Sequence, residues 1–443
     1  MQRSPGLEIR PFRGLRYAPS RVRSLAAVTS PPYDVVVRPD GLHHLETADP
    51  YNIVRLILPQ AADPAARHRL AADTLRRWRA EGVLVPDPRP ALYVYEQRRG
   101  DLLQRGVIGL LALSEPAAGV VLPHEDVMEE VVADRAGLMR ETAANPEPLL
   151  LSYRGDGAAT GTTAVVTRTT ARTPLLATTT EDGFAHRLWA VTDTDEIAAV
   201  RADLARRQAL IADGHHRWAT YLRLRAERSA RDGGAGAGAE SGPGPGPGPG
   251  PDPDPGPWGY GLVLLVDTAR HPLVVRGIHR VLRTLPPADA LRLLDGEARV
   301  RPLDVPLPAA LRALEETEGN AFLLAGRGVL HLVDRPDPGL LARTVRTDRP
   351  EAWRGLDATV LHATLIEHVW QLPDDPAHIG YVHDPEAAAA QAERLGGTAV
   401  LMKPVAEDVV RELARDGVTM PRKSTSFGPK PATGLVLRAL DLG

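Results

Sequence analysis

The stretch LIADGHHRWATYLRLRAER, residues 210–228, organises the sequence around it. Its first residues, 210–212, are apolar and predict the end of a buried strand. Gly214 permits a tight turn, because glycine adopts backbone conformations closed to other residues. From His216 onward, apolar residues alternate with arginines at helical spacing, which predicts a helix. The stretch is therefore predicted to be a strand, a turn and a helix, with charged residues at the turn.

The charged residues of this turn indicate an anion site. Asp213 lies near the predicted start of the helix, where backbone N–H groups lack partners and favour negative charge. Arg217 could hold a phosphate with two hydrogen bonds, and Asp213 could bind a Mg²⁺ ion that shares the phosphate charge. Two alternatives stay open: an ordinary capped turn, or a metal held by His215 and His216. The metal is disfavoured because adjacent helical residues point about 100° apart.

Strands and helices alternate along the rest of the chain. In the first half the patterns predict strands at 52–58, 91–97, 105–114 and 259–268, a helix at 65–82, and a strand–loop–strand segment at 160–183. In the second half they predict a hairpin at 320–334, helices at 358–370, 384–396 and 406–417, and strands at 398–404 and 432–440. This pattern predicts an α/β or mixed α+β fold.

Residues 229–257 interrupt the pattern with alternating glycine and proline. Such a segment has almost nothing to bury, so we expect a disordered insert. The predicted domains are accordingly residues 1–228 with the turn described above, the insert, and a C-terminal α/β part at 258–443.

The composition excludes several classes of protein. The chain has 443 residues, of which 43% are hydrophobic, enough for a large core, and its formal net charge of -3 gives no basic field for nucleic acid. It contains no cysteine, and we find neither a signal peptide nor a long apolar run. We expect a cytoplasmic protein with no membrane or nucleic-acid partner. The composition says nothing about the oligomeric state.

Two further motifs carry groups suited to phosphoryl transfer. VLPHEDV places His124 and Glu125 after a predicted strand, where the carboxylate could act as general base on a hydroxyl. MPRKSTSFGPK, residues 420–430, holds two of the three lysines of the chain and the Ser-Thr pair beside the first of them. Since arginine serves almost everywhere else, these lysines suggest a need for compact ammonium groups, although a structural turn and a solvated basic loop remain alternatives.

The remaining candidates lie in other turns. PFRG and PPYDVV contain Arg13, Tyr33 and Asp34, and Asp34 could hold the amino group of a free amino acid or merely cap a turn. Asn145 is predicted in a loop before a strand, where it could orient a ligand or serve the turn. Asp134 and its neighbour Arg135 are predicted to open a helix, with a structural pair as likely as a site.

Eight motifs in order along the chain carry a resemblance. They are RPFRGLRY (10–17), SPPYDVV (30–36), DPYNIVRLILP (49–59), LPHED (122–126), ADRAGLM (133–139), ANPEPLLLSY (144–153), IADGHHRWAT (211–220) and MPRKSTSFGPKPATGLV (420–436). The chain resembles the DUF1015 family, whose members include proteins assigned as free L-serine kinases. DGHHR itself is similar to the Asp-Gly-His-x-Arg signature of the ParB/sulfiredoxin-like nucleotide-binding fold. The segment EDVMEEVVADR departs from the family, because many members carry a threonine and lysines there.

The resemblance implies a ParB/sulfiredoxin-like core and a kinase that phosphorylates a free amino acid, first of all L-serine, with Mg²⁺ and with ATP or ADP as donor. The expected site residues form three groups: catalytic Glu125, Asp213, His215 and Lys423, with Asp213 also the metal ligand; nucleotide-binding Gly214, His216, Arg217, Ser424, Thr425 and Lys430; and substrate-binding Arg13, Tyr33, Asp34, His124 and Asn145. Two alternatives are a nucleotide-binding switch without kinase activity and a metal-dependent hydrolase built on His124, His215 and His216.

Overall fold

The computed structural model describes residues 6–36, 39–235 and 256–442. These residues form two compact units between which the chain passes several times. The first unit comprises Met1–Pro123, Val127–Leu273 and Pro429–Gly443, and the second comprises His124–Asp126 and Val274–Gly428. The predicted linear division into 1–228 and 258–443 does not coincide with these units, because residues from both ends of the chain build the first one.

The first unit is a sheet covered by helices. Its helices are α1 (Leu25–Val28), α2 (Pro39–Ala48), α3 (Val54–Ile57), α4 (Pro64–Ala80), α5 (Glu129–Thr142), α6 (Gly161–Thr170), α7 (Thr194–Leu204) and α8 (His215–Ala235). Its strands are β1 (Ile9–Arg10), β2 (Leu15–Tyr17), β3 (Leu84–Pro86), β4 (Leu92–Arg99), β5 (Leu102–Ala112), β6 (Val121–Leu122), β7 (Ala144–Asn145), β8 (Leu149–Tyr153), β9 (Leu176–Thr179), β10 (Ala185–Val191), β11 (Ala209–Asp213) and β12 (Tyr260–Asp267).

Nine of these strands form one sheet in the order β6-β11-β8-β12-β5-β4-β10-β9, with β1 paired to β5. The pairs β11–β6 and β12–β8 are parallel, and the others are antiparallel. Strands in the middle of the sheet are buried on both faces, which explains their continuous apolar sequences. Helix α8 packs on this sheet through Trp218, Tyr221 and Leu224, whose three-residue spacing places them on one face.

The second unit contains a six-stranded antiparallel sheet with helices on both faces, and two further strands that pair with each other. Its strands are β13 (Val274–Arg276), β14 (His279–Leu282), β15 (Arg299–Leu303), β16 (Ala321–Gly326), β17 (Val329–Asp334), β18 (Ile379–Val382), β19 (Thr398–Met402) and β20 (Ser426–Gly428). The sheet order is β15-β17-β16-β19-β14-β18, and β13 pairs separately with β20. The helices are α9 (Pro287–Leu293), α10 (Leu307–Glu315), α11 (Pro338–Thr344), α12 (Glu351–Arg354), α13 (Asp357–Val360), α14 (Pro385–Leu395) and α15 (Glu407–Arg415), with a π-helix at Leu361–Val369.

Alternation along β16 shows why helices cover both faces of this sheet. Leu323 belongs to the apolar cluster on one face, which also contains residues of α10 and α14. Its neighbours Phe322 and Leu324 belong to the cluster on the other face, which contains residues of α9 and the π-helix. Because successive strand residues point to opposite faces, an uninterrupted apolar strand needs a cover on each side.

The last strand, β21 (Arg438–Ala439), returns to the first unit and pairs with β7. Two isolated bridges precede it, Ser30 with Thr433 and Leu15 with Leu437. The chain thus changes partner every few residues, and Gly434 turns it with a φ of +100°. The predicted strand at 432–440 is therefore wrong over most of its length.

Most predicted elements are confirmed, and the chain is mixed α/β as predicted. The hairpin at 320–334 forms with Arg327 and Gly328 at its turn, both with positive φ. Two other predictions are wrong. Residues 161–170 form α6 because Thr162, Val165 and Thr169 recur at helical rather than strand spacing on its buried face.

The segment 52–58 contains the helical turn α3 in place of a strand. The buried Asn52 side chain accepts a hydrogen bond from the Val54 backbone at 2.9 Å. Its amide donates to the carbonyls of Ala27 and Thr29 at 2.8 and 3.0 Å. These contacts start the helical turn and attach it to the end of α1 and the residue that follows, which no strand pattern could show.

The region of the predicted insert begins later than expected. Helix α8 continues to Ala235, and the chain resumes as a short 3₁₀ turn at Pro257–Gly259. The remaining part of the insert lies outside the described residues. Among the helices of the described ranges, none combines the length and apolar character needed to cross a bilayer.

Candidate functional site

The turn between β11 and α8 is built around Gly214. Its φ is +101°, and a Cβ atom there would lie 2.9 Å from Leu149 Cγ and 3.1 Å from Arg217 Nη2. Glycine is therefore required both for the backbone conformation and for the space. The turn places Asp213 at the end of the strand and His215 at the first position of the helix. The predicted strand–turn–helix is confirmed.

Arg217 differs from its predicted role. Its side chain is buried, with 1% of the residue exposed. Its Nη2 donates to Asp213 Oδ2 at 2.7 Å and its Nη1 to the Pro148 carbonyl at 3.2 Å. Glu147 Oε2 lies 3.9 Å from the same guanidinium. Arg217 thus neutralises carboxylates inside the protein, and in this conformation its guanidinium is not presented to a phosphate.

Glu147 is a site residue that the sequence analysis missed. Its Oε1 accepts hydrogen bonds from the Tyr33 backbone at 3.0 Å and from Thr433 Oγ1 at 3.2 Å. It immediately precedes Pro148 and β8, whose first residues pair with the end of β11 because the two strands are antiparallel. Its signal in the sequence is an acid just before a buried strand inside ANPEPLLLSY, the motif in which Asn145 is the predicted site residue.

Lys430 and Asp34, both predicted site residues, meet at Asp213. The Lys430 ammonium forms ion pairs with Asp34 Oδ2 and, at 2.5 Å, with Asp213 Oδ1. The bridge between Ser30 and Thr433 brings the two segments together, since Asp34 follows one of its residues and Lys430 precedes the other. We call Asp34, Glu147, Asp213, Arg217 and Lys430 the charge cluster.

The charge cluster opens to solvent on one side. The side chains of Asp34 and Lys430 are 37% and 22% exposed, whereas Asp213 is 8% exposed and Glu147 and Arg217 are more deeply buried. A small solute could therefore reach Asp34 and Lys430 first. The more deeply buried Asp213, Glu147 and Arg217 neutralise one another. They thereby hold Asp34 and Lys430 in position.

The ionisation of the charge cluster follows from burial and from its cations. Burial raises the pKa of Asp213 and of Glu147, and Arg217 only partly offsets this. At Asp34 burial also acts to raise the pKa, but Lys430 and Arg217 outweigh it and hold the pKa below its ordinary value. At Lys430 burial acts to lower the pKa, but Asp213 and Asp34 outweigh it and raise the pKa. Asp34 and Lys430 are therefore charged at neutral pH.

Tyr33 closes one side of the cluster with its ring. The guanidinium of Arg135 lies 4.6 Å from the ring centre, and that of Arg217 lies 5.8 Å from it. Burial raises the pKa of the Tyr33 hydroxyl to about 12. Arg135 pairs with Asp134 at 2.6 Å, so the predicted pair exists and its arginine also supports Tyr33. The pair does not open the helix as predicted, because α5 begins at Glu129.

The two histidines of the turn differ in environment. His215 is buried, and His216 is only partly so. His216 Nε2 accepts the backbone N–H of Met128 at 3.1 Å, just before the first residue of α5. His216 therefore orders a neighbouring turn, and its contact needs the ε nitrogen unprotonated.

Two predicted substrate contacts have structural roles. Arg438 Nη1, on β21, donates to Asn145 Oδ1 at 3.0 Å, and both residues are buried. Arg13 Nε donates to the Asp87 carbonyl at 3.0 Å. Asn145 is thus occupied by a buried arginine, which argues against the predicted ligand contact.

The other predicted residues belong to the second unit. His124 is buried, and its Nε2 lies 3.2 Å from Thr425 Oγ1. Its carbonyl accepts the Met420 N–H at 2.7 Å, so two separate motifs meet here. Glu125 Oε1 lies 4.0 Å from His124 Nε2, with 31% of its side chain exposed.

The loop that carries Lys423 has a strained backbone at that residue. Lys423 is exposed with a φ of +54°, a left-handed conformation that is uncommon outside glycine. Ser424 is buried, and its Oγ has no hydrogen-bond partner among the described residues. The predicted site residues are thus divided between the two units.

The predicted magnesium site at Asp213 does not fit this arrangement. One carboxylate oxygen of Asp213 faces Arg217 and the other faces Lys430, so cations already occupy both. Over residues 6–36, 39–235 and 256–442, no three acidic or histidine side chains are grouped as a metal site requires. We therefore assign no resident metal to Asp213.

The fold and the charge cluster describe a mixed α/β protein with a charged site at a strand-to-helix turn. The chain belongs to DUF1015, a family of proteins of unknown function whose model matches residues 9–359. The resemblance noted from the eight motifs is thereby confirmed. No curated protein matches the sequence.

Solved structures that are similar to this chain include the following three. One is a free serine kinase in complex with AMP, at 15% identity and a TM-score of 0.34, covering 73% of this chain and 90% of that one. Another is a conserved hypothetical protein from Pyrococcus furiosus, at 16% identity and a TM-score of 0.33, covering 73% and 94%. A third is SbnI with a C-terminal truncation from Staphylococcus aureus, at 8% identity and a TM-score of 0.33, covering 72% and 82%.

Proposed function

We propose that this protein is a small-molecule kinase that transfers a phosphoryl group from ATP or ADP to the hydroxyl of a free amino acid, with L-serine as the first candidate. The observation that carries the proposal is the pair of ionised groups, Asp34 and Lys430, at the open side of the charge cluster beside the start of α8. A free amino acid carries an ammonium and a carboxylate, and these two side chains offer the complementary charges.

The net charge of the charge cluster favours binding of the amino-acid substrate over binding of a phosphate group. Three carboxylates face two cations, and the raised pKa of Glu147 lets this acid lose its charge first. The cluster is then neutral or negative, so it attracts an ammonium group more readily than a bare phosphate. We propose that Asp34 binds the substrate ammonium and that Lys430 binds the substrate carboxylate.

The nucleotide is proposed to bind at the start of α8, where the backbone N–H groups of a 21-residue helix begin. Gly214, His215 and His216 form this start. Any Mg²⁺ that accompanies the nucleotide is part of the substrate complex. The substrate hydroxyl attacks the terminal phosphorus, the bond from this phosphorus to the nucleotide oxygen breaks, and the hydroxyl proton passes to a carboxylate.

For that carboxylate we propose Glu125, as the sequence suggests, with Lys423, Ser424 and Thr425 as further phosphate contacts. Glu125→Gln keeps the size of the side chain but cannot accept a proton. We expect nucleotide affinity to survive and turnover to fall by about 10²-fold or more. Glu130→Gln, an exposed neutralisation at the start of α5, is the control. Equal turnover in both variants would remove Glu125 from the mechanism.

The function is tested with a panel of nucleotides against free amino acids. The full chain is incubated with ATP or ADP, Mg²⁺ and each amino acid, and phosphorylated products are measured by mass spectrometry. We expect a product with hydroxyl amino acids and none with alanine. Nucleotide binding without any phosphorylated product would favour the regulatory switch over the kinase.

A further inference from the structure

The residues on either side of Lys430 form neither helix nor strand. Both of them, Pro429 and Pro431, lack a backbone N–H and so cannot hold this segment by regular pairing. The Pro429 carbonyl instead accepts a hydrogen bond from Gln97 Nε2, on β4, at 3.0 Å. Because a carbonyl only accepts, this contact fixes which end of the Gln97 amide faces the segment. One end of the segment is therefore attached to β4.

Tyr95 attaches the other end of the segment to the same strand. Its hydroxyl oxygen accepts the Ala432 N–H at 3.2 Å. Tyr95 and Gln97 are two residues apart on β4, so their side chains lie on the same face of the sheet. Two side chains of one strand thus bond the backbone before and after Lys430, and they fix the position from which its side chain starts.

The Tyr95 hydroxyl is itself oriented by a buried histidine. Since its oxygen accepts the Ala432 N–H, its proton is donated to His186 Nδ1, on β10, at 2.8 Å. Burial lowers the pKa of His186 to about 4, so the imidazole is neutral and Nδ1 can accept. Its Nε2 then carries the proton and donates to Thr180 Oγ1 at 2.9 Å. Every hydrogen bond in this series has one direction only.

Gln97 is held in the same way by its cross-strand partner. Gln104 of β5 lies opposite Gln97, and its Oε1 accepts from Gln97 Nε2 at 2.6 Å. Tyr95, Gln97, Gln104 and His186 are between 1% and 3% exposed. Buried polar side chains cost free energy unless they are bonded, and a network of bonded ones is rigid. This face of the sheet is therefore a rigid support for the backbone around Lys430.

The ammonium of Lys430 forms ion pairs with Asp34 and Asp213. It stands on a flexible four-carbon stem, so its place depends on a fixed backbone. We propose that Tyr95 and Gln97 are positioning residues, which hold Lys430 so that its ammonium meets the substrate carboxylate. The effect on the substrate rests on the proposed function, whereas the effect on Lys430 can be measured without any substrate.

The position of Lys430 is tested by trace acetylation of the full chain with acetic anhydride at pH 7.5, followed by peptide mass spectrometry. Only the unprotonated amine reacts, and Asp213 and Asp34 raise the pKa of Lys430. In the wild type Lys430 should therefore react more slowly than the exposed Lys423, which is the internal reference. Tyr95→Phe should raise the ratio of Lys430 to Lys423 labelling by about fivefold, since one hydrogen bond of its segment is lost.

Tyr93→Phe is the matched control on the same face of β4. The Tyr93 hydroxyl is also buried, accepts the Gly14 N–H at 2.9 Å and donates to Asp87 Oδ2 at 2.6 Å. Its loss removes as many hydrogen bonds, but none from the segment around the lysine, so the labelling ratio should stay unchanged. Gln97→Met is the second variant and should also raise the ratio. Melting curves confirm that each variant is folded, and Gln97→Met decides the test where Tyr95→Phe is not.

Kinetics give a second readout that general destabilisation would not produce. With serine as substrate, Tyr95→Phe should raise the KM for the amino acid by about fivefold and leave kcat within about twofold, because Lys430 binds the carboxylate equally before and during reaction. The proposal is overturned if the labelling ratio in the folded variants equals that of the wild type, or if Tyr93→Phe raises it as much. A chain that forms no phosphorylated product would count against the kinase, while the labelling ratios would still decide the role of Tyr95 and Gln97.

Discussion

Arg217 shows most clearly how the environment of a residue changes its role. In the sequence it reads as a phosphate ligand at the start of a helix, but its guanidinium lies inside the protein between Asp213 and Glu147. Buried carboxylates need a cation, because an unpaired buried charge is very costly. Arg217 is therefore first a positioning residue for the charge cluster.

Arg217→Ala should lower the free energy of unfolding by about 3–5 kcal/mol, the usual cost of removing one partner of a buried ion pair. Urea denaturation at pH 7.5 measures this loss. Arg223→Ala is the matched control on the same helix, since Arg223 is 38% exposed and pairs with Glu129 and Glu227 at the surface. The control should cost about 0–1 kcal/mol. Equal losses in the two variants would contradict the buried role of Arg217.

The raised pKa of Glu147 predicts a pH dependence of stability. Below its ordinary value of 4.5 both states hold the proton. As pH rises through that value, the unfolded chain releases the proton while the folded protein retains it, so stability falls until the raised folded pKa is passed. Glu147→Gln can still accept from Tyr33 and Thr433, and it should lessen the fall in stability above pH 4.5.

Glu227 provides the control of opposite sign. Its hydrogen bond to Arg140 lowers the pKa of its carboxyl, so its contribution is present above the ordinary value and is lost as pH falls through the lowered one. Glu227→Gln should therefore reduce stability at neutral pH and make little difference in acid. Chemical denaturation of both variants from pH 4 to 7.5 compares them, and parallel curves would refute the assignment.

Among the elements, α3 depends most on a single side chain. Its four residues are too few to form a helix by propensity, and the Asn52 side chain holds the turn through three hydrogen bonds. The apolar run that follows Asn52 is buried in the same cluster as Trp78 of α4. Such a run of apolar residues fits a buried strand and a short buried helix equally well, so the sequence pattern does not distinguish them.

Asn52→Ala should lower the free energy of unfolding by about 2 kcal/mol or more, because each buried group left unpaired costs about 1–3 kcal/mol. Gln60→Ala, where an exposed amide donates to the Leu58 carbonyl, is the control and should change stability by about 0.5 kcal/mol or less. Both are measured by thermal and urea unfolding. A loss at Asn52 no larger than at Gln60 would show that packing alone holds α3.

At the scale of the whole molecule, the Gly-Pro segment should be dispensable. Its sequence between 236 and 255 contains almost no apolar residue, so it has nothing to contribute to a core. Deleting residues 240–251 should shift the melting midpoint by less than about 3 °C, which is about 1 kcal/mol for a domain of this size. Nucleotide binding should be unchanged. A larger shift would mean that the segment takes part in the fold.

The sequence by itself determined the elements whose patterns are strong. The strands β4, β5 and β12, the helices α4 and α14, the hairpin of β16 and β17, and the turn from β11 to α8 were all predicted from apolar spacing and turn residues. These signals are local, because the periodicity of an element and its end residues lie within the element. The motifs likewise indicated the family, since their order is a property of the sequence alone.

Only the tertiary structure decided which charges meet. Asp34 and Lys430 are almost 400 residues apart, and they are neighbours because Ser30 and Thr433 form a bridge. Glu147 joins them because β8 is antiparallel to β11, and the burial of Arg217 follows from the same pairing. Such pairings depend on strand partners far away in the chain. Burial then determines whether a charged side chain serves a ligand or another residue, since desolvation raises the energy of any charge left unpaired.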